Sequence, residues 1–292
     1  PDWHVAGTVT GRVSSSNPNV QNLPNPRPGW PNLRMIVGAP PGYVIVGADY
    51  SQIELRVAAW LFEEPTMLKA FSSGEDLHAR TAAMLFGSSG SELPYEEIRR
   101  RAKIINFGFL YGMDAETFVD YAFKLYGLTL TLDEADKWRR LFFRLYPGLI
   151  DGYRKILEEL NRSGAVRSPL GRRRIFEGWS VANTAAKREM LRAAINAPVQ
   201  GTASDLTSIA LVLAYDRLKE YGAWPILHLH DAVYFYVSED SVQRAVHELR
   251  LVMERQVPDY VRETFGIDIP VPLVAEVSVG RNLGEMKEVA NE

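Results

Sequence analysis

An α+β fold, with a sheet assembled from both ends of the chain and a helical block between them, is what this sequence predicts. Three observations carry the prediction. The run Tyr43 to Ala48 is short, apolar and β-prone. Further runs of that kind, Ile226 to His230, Val233 to Val237 and "VPLVAEVSV" at 271–279, lie near the other end. Between them, apolar residues recur at helical spacing from about 52 to 222. Strands segregated from helices in this way make an α+β layer with a helical insertion.

Taken in order, residues 1–43 lack periodicity and are rich in Ser, Asn and Pro, with prolines at 18, 24, 26, 28, 31, 40 and 41, so extended or looping chain is expected. The strand from Tyr43 ends at Asp49. "SQIELRVAAWLF" then starts a helix with Ile53, Val57 and Leu61 on one stripe. The helical block is broken at Gly87 to Gly90, Gly127, Pro147, Gly164 and Pro169 to Gly178. A hairpin is expected at 226–237, an amphipathic helix at 240–257 and a last strand at 271–279.

Composition narrows the chemistry. A chain of 292 residues, 46% hydrophobic, can bury a large core as one large domain or two interleaved ones. No apolar run is long enough to span a bilayer and no charged-then-apolar leader opens the sequence, so membrane residence and secretion are not expected. With no Cys, disulfides and thiolate metal sites are excluded, and a metal would take carboxylate, carbonyl or His ligands. Oxygen ligands favour Mg²⁺ or Mn²⁺. The net charge of −3 gives no global basic character, so nucleic-acid binding would rest on local clusters. Three exist: Arg99 to Arg101 with Lys103, Arg172 to Arg174, and Lys187 with Arg188 and Arg192. Runs of this kind also occur as solvated helix faces.

Two motifs admit both a structural and a chemical reading. In "HLHDAVYFYV" (228–237), Asp231-Ala232 could be the tight turn of the hairpin, although it lacks the glycine that two-residue turns favour. Alternatively Asp231 is functional, because Asp49 also ends a buried strand and the two strands can be sheet neighbours. Paired strand-end aspartates in a Cys-free chain suit a two-metal site for phosphoryl transfer. In "RRRAKIINFGFLYG", Arg99, Lys103, Phe107 and Tyr111 recur every four residues and share a helix face, cationic at one end and aromatic at the other. That face could be core aromatics with basic residues snorkelling to water. It also suits a nucleotide, whose phosphates need cations and whose base needs a flat apolar surface.

These residues resemble the polymerase core of family A DNA polymerases, the bacterial DNA polymerase I group. The resemblance covers essentially the whole chain: "TGRVSSSNPNVQNLP" (10–24), "DYSQIELR" (49–56), "RRRAKIINFGFLYGM" (99–113), "GRRR" (171–174), "APVQGTASDL" (197–206) and "HDA" (230–232). Phage-type single-subunit RNA polymerases share the architecture but are not expected to carry DYSQIELR. The resemblance implies a right-hand palm, an antiparallel sheet with packed helices, at 1–66 and 190–292. A helical fingers insertion would occupy 67–189, with the thumb, proofreading and 5′-nuclease domains absent. It implies template-directed addition of dNTPs to a primer 3′-hydroxyl with release of pyrophosphate.

Position by position, Asp49 and Asp231 would bind two Mg²⁺ ions (Mn²⁺ being the alternative), with the backbone carbonyl of Tyr50. Arg99 and Lys103, helped by His78 and Gln52, would hold the triphosphate, Lys103 counting as catalytic. Phe107 would stack on the nucleotide and Tyr111 would cap the nascent base pair. Arg12, Asn22, Arg192, Asn196, Gln200 and His230 would contact primer-template DNA. Glu54, with Tyr111, would exclude a ribose 2′-hydroxyl; read without the resemblance, Ser51-Gln52-Ile53-Glu54 is a capping box. No contact is assigned to Arg172 to Arg174. The family's usual His-Asp-Glu reads His-Asp-Ala here, which opens the alternative of a degenerate, non-catalytic DNA-binding core. A monomer in the cytoplasm of a bacterial or phage-infected cell is expected.

Overall fold

A computed structural model of the chain describes residues 1–290 apart from 6, 25, 27–28 and 88–93. Its elements are β1 (Asp2–His4), β2 (Ser14–Ser16), β3 (Tyr43–Tyr50), α1 (Ile53–Leu61), α2 (Pro65–Ser72), α3 (Leu77–Phe86), α4 (Tyr95–Phe109), α5 (Ala115–Tyr126), α6 (Leu132–Leu145), α7 (Gly148–Ser163), β4 (Ala165–Arg167), β5 (Arg173–Ile175), α8 (Thr184–Leu218), β6 (Trp224–Leu229), β7 (Ala232–Ser238), α9 (Val242–Leu251), α10 (Val257–Phe265), β8 (Ala275–Gly280) and β9 (Lys287–Glu288). The fold is α+β. The chain divides into two compact units, residues 1–53 with 200–292, and residues 54–199. No helix among the described residues is long and apolar enough to cross a membrane.

The first unit is built on a five-stranded sheet in the order β6-β7-β3-β8-β9, antiparallel throughout. Strand periodicity sorts its residues between two faces. Val46 and Ala48 share one face with Val233, Phe235, Val237 and Val277, all buried, and α9 packs there through Val246 and Leu249. On the other face, Ile45, Leu227 and Leu283 form a small core covered by Val20, Leu23 and Val37 from the N-terminal segment. That segment is more ordered than its composition suggests. It pairs β1 with β2 and forms two 3₁₀ turns, Val20–Asn22 and Leu33–Ile36, capped by the side chains of Asn19 and Asn32. The cover leaves Asp49 exposed.

The helix expected at 240–257 runs further. After α9 comes a π-helical stretch, Val252–Gln256, which leads directly into α10. Pro258 has no N–H to donate to residue 254 and its ring would crowd that carbonyl; the widened turns just before it absorb both problems. The last strand begins at Ala275, later than expected, and β9 was not anticipated.

The second unit is mainly helical. The expected breaks at Gly127 and Gly164 are left-handed caps of α5 and α7, at φ +65° and +62°, where a side chain would be strained. Gly87 caps α3, while the rest of the break expected at Gly87 to Gly90 lies outside the described residues. The break read as a loop at 169–178 contains β5, which pairs with β4 in a two-stranded sheet that the sequence reading missed. Each strand has three residues, too few for a period to show.

Helix α4 packs closely on α5 through Gly108: a Cβ there would lie 2.5 Å from the Phe118 ring, which is itself buried and stacked on Phe109 at 4.2 Å. Gly108→Val should therefore destabilise the fold by roughly 1–3 kcal/mol through overpacking, read as a lower urea midpoint at unchanged m-value.

Candidate active site

The alternation of β3 puts Asp49 on the sheet face away from α9, opposite Ala232 of β7. The next residue, Tyr50, donates its backbone N–H to the Asp231 carbonyl at 3.2 Å. Two carboxylate residues 182 positions apart thus end adjacent strands at one end of the sheet. The hairpin turn is His230-Asp231, not Asp231-Ala232, since Leu229 pairs with Ala232. His230 sits at φ +56°, the conformation that a two-residue turn demands and glycine usually supplies. Holding a histidine there costs roughly 1 kcal/mol or more.

The surroundings come from the N-terminal segment. Arg12 faces Asp231 at 3.5 Å. The preceding residue is anchored by Ser204 Oγ, which donates to the Gly11 carbonyl at 3.2 Å. Gln21 Nε2 donates to the carbonyls of His228 and Val13, at 2.9 and 3.0 Å, pinning the turn that carries Asn22 against the hairpin. A cavity of about 500 Å³ results, lined by Asp49, His230, Asp231, Asn22, Arg34 and Tyr234. Arg34 and Tyr234 were missed by the sequence reading. Arg34 stands in a stretch without periodicity, and Tyr234 reads as an ordinary strand aromatic. The Nε of Arg34 is buried with no hydrogen-bond partner among the described residues. Burial, then the negative charge of Asp49, holds the Tyr234 phenol above its usual range.

This donor set consists of oxygen atoms and suits a hard divalent cation. Among the described residues no third His, Cys, Asp or Glu joins the two aspartates as a metal-holding group. The rest of an octahedral shell would fall to backbone oxygen, substrate and water, so the residues fit Mg²⁺ or Mn²⁺. The side chain of Tyr50 points elsewhere: its hydroxyl donates to the Met253 carbonyl at 2.9 Å, and burial followed by the charge of Glu254 raises its pKa well above the ordinary value. Gln52 adopts φ +53° just before α1. That conformation corrects the capping-box expectation, because a residue in the left-handed region between Ser51 and Ile53 is not the first turn of a helix.

In the second unit, Arg99, Lys103 and Phe107 do share a face of α4, exposed or half-buried, while Ala102, Ile105 and Phe109 turn to the core. Tyr111 is not on that helix, which ends at Phe109. It stands in the following turn, before Gly112 at φ +72°, and the turn is held by Tyr153, whose hydroxyl donates to the Leu110 carbonyl at 2.5 Å. The Tyr111 hydroxyl donates to the Glu54 carboxylate. Arg99 pairs with Asp76 through Nε at 2.7 Å and Nη2 at 2.6 Å. Burial alone would raise the Asp76 pKa, but Arg99 and the His78 N–H outweigh it and hold it low. Arg100 and Arg101 turn to Glu97, at 2.7 and 2.9 Å, and are taken up locally.

His78 is buried, and its ring centroid lies 5.7 Å from that of Phe107. Its Nδ1 accepts from the Asn106 amide at 2.8 Å, which leaves the proton of the neutral ring on Nε2. The Asn106 carbonyl oxygen accepts from Thr81 at 3.0 Å, and Thr81 also bonds the Tyr146 hydroxyl at 2.7 Å. Arg192, the expected strand contact, pairs with Asp114 at 3.3 Å. It shares a cavity of about 740 Å³ with Arg188 and with Arg139, Arg140 and Arg144 of α6, three cations that the sequence reading did not associate with it. Asn196 is half-buried on α8 within this unit, and Gln200, half-buried on the same helix, belongs to the first.

The first unit thus carries a sheet ending in paired aspartates and the second a helix with cations and an aromatic on one face, a combination of features that suits phosphate and base chemistry, and likeness to known proteins gives the family. The chain belongs to DNA polymerase family A, the family description matching residues 1–285. It is 37% identical over 286 residues to "DNA polymerase I, thermostable" of Thermus filiformis, covering 98% of this chain and 32% of that protein. It is 36% identical to DNA polymerase I of Pseudomonas aeruginosa, covering 97% and 29%. Among solved structures, the polymerase domain of Pol1 from M. smegmatis, in complex with DNA primer-template and dNTP, matches with a TM-score of 0.80 at 29% identity. That match covers 97% of this chain and 47% of the other. The chain therefore spans about a third of the length of the curated relatives it matches.

Burial, helped by the charges of Lys103 and Arg99 and opposed by Asp76, lowers the His78 pKa from 6.5 to about 4. Between those values the unfolded chain binds the proton and the folded one resists it. Stability should fall as pH drops from 6.5 towards 4, by up to about 3 kcal/mol from this group. Urea unfolding at both pH values should show a smaller difference in His78→Gln than in the parent.

Proposed function

We propose that this chain carries the nucleotidyl-transfer core of a DNA-templated DNA polymerase, adding dNTPs to a primer 3′-hydroxyl with release of pyrophosphate. The observation that carries the proposal is the convergence of Asp49 and Asp231 at one end of the sheet, in a member of this family. The Pol1 domain in complex with primer-template and dNTP supports the choice of partners. On this reading 1–66 and 190–292 serve as the palm and 67–189 as the fingers, in a cytoplasmic monomer.

Asp49, Asp231 and the Tyr50 carbonyl would hold two Mg²⁺ ions, which when bound offset the charge of the attacking and leaving oxygens. Every other duty falls to the chain itself. Lys103 and Arg99, with Gln52, would hold the triphosphate, Arg99 exchanging Asp76 for phosphate oxygens. Neutral His78 can donate from Nε2 without adding charge. Phe107 would stack on the nucleotide, and Tyr111, tethered to Glu54, would close over the base pair while the pair of side chains fills the space that a 2′-hydroxyl needs. Arg12, Asn22, Gln200 and His230, with Arg192 and Asn196, would steady primer and template. Ala232 favours a second reading, a lapsed core that binds DNA without extending it.

Primer extension with Mg²⁺ and all four dNTPs tests these readings. Asp49→Asn and Asp231→Asn should each abolish extension while retaining the far-UV spectrum, because an amide cannot balance the cation charge; incorporation near the parental rate by either would defeat the metal assignment. An inactive parent restored by Ala232→Glu would establish the lapsed core. In a competition assay, Glu54→Ala should raise ribonucleotide over deoxyribonucleotide incorporation. An unchanged ratio would remove Glu54 from sugar selection.

A further inference from the structure

The open face of the sheet holds a pair of residues that the catalytic reading does not use. Opposite Asp49 stands Ala232, where the family's usual sequence has Glu, and a methyl group neither donates nor accepts a hydrogen bond. Two pairs further along the ladder, and next on this face, Tyr234 stands opposite Gly47. A Cβ on residue 47 would lie 2.5 Å from both Cδ1 and Cε1 of that ring, so glycine at 47 is what admits the tyrosine. Tyr234 shares the cavity wall with Asp49, Asp231 and Arg34. Among the described residues, Tyr234 donates no hydrogen bond to a protein acceptor, whereas its neighbour Tyr236 donates to the Gly38 carbonyl at 2.7 Å.

We propose that Tyr234 is a positioning residue of the cation site, its hydroxyl donating to Asp49 or to a metal-bound water in the place that Ala232 leaves without a polar group. The proposal rests on the metal reading of Asp49 and Asp231. Groups that orient a ligating carboxylate or a bound water govern affinity as well as turnover, typically by 10- to 100-fold.

The test is Mn²⁺ binding by the full chain without nucleotide or DNA, followed by loss of the free-ion paramagnetic resonance signal. Tyr234→Phe, which keeps the ring over Gly47, should weaken Mn²⁺ binding roughly tenfold at unchanged Tm, and adding Ala232→Glu to it should restore most of the loss. Tyr236→Phe should bind as the parent does. Parental affinity in Tyr234→Phe overturns the proposal, as does a loss that Ala232→Glu fails to restore, which marks a packing role. A parent that binds no Mn²⁺, or an Asp49→Asn variant that binds it equally well, overturns the metal reading and this proposal with it.

Discussion

The pairing of β3 with β7 is the constraint on which the first unit depends. Its register is enforced by burial: Val46, Ala48, Val233, Phe235 and Val237 are all at or near zero exposure on the helix-covered face. A slip of one residue would turn Asp49 into that face and expose its neighbours, and an unpaired buried carboxylate is costly. The same ladder that buries the valines therefore fixes where the aspartates stand. Stability and site geometry are two results of one alternation, with Ile45 at the covered end of the open face and Asp49 at its exposed end.

In the second unit the comparable role belongs to the hydrogen-bonded line from His78 through Asn106 and Thr81 to Tyr146. Each member is buried and polar, and each finds its partner within the line. The line ties α3 to α4 and fixes the orientation of α4, so Arg99, Lys103 and Phe107 face outward while Gly108 lets α5 approach. The burial that keeps His78 neutral also sets its tautomer through the Asn106 amide. A positive ring beside Arg99 and Lys103 would repel both, so the neutral ring is the form that can lie buried next to them.

The N-terminal segment shows how chain with little regular structure can be specific. Asn19 and Asn32 cap short turns, Gln21 bridges to the hairpin, and Val20, Leu23 and Val37 cover Ile45. The segment thus supplies Arg12, Asn22 and Arg34 around the aspartates while sealing the sheet next to them. Sealing one end of a sheet face and leaving the other open is what creates a cavity there.

Much of this was legible in the order of residues. The short apolar, β-prone runs at 43–48 and 233–237, the helical stripe of α1 and the Gly and Pro breaks determined the class of fold and the ends of several helices, because these signals act within a few residues. The pattern Arg99, Lys103, Phe107 determined a face of α4 for the same reason, and the ordered motifs pointed to the family. Tertiary structure decided what depends on residues far apart. It placed the turn at His230-Asp231 through the register with Leu229, took Tyr111 off the helix by ending α4 at Phe109, and bound Tyr111 to Glu54. It drew Arg139, Arg140 and Arg144 to Arg188 and Arg192, brought Arg34 to the aspartates and laid Tyr234 over Gly47. Local propensity is a property of neighbours in sequence, whereas register, packing and charge pairing exist only once distant segments meet.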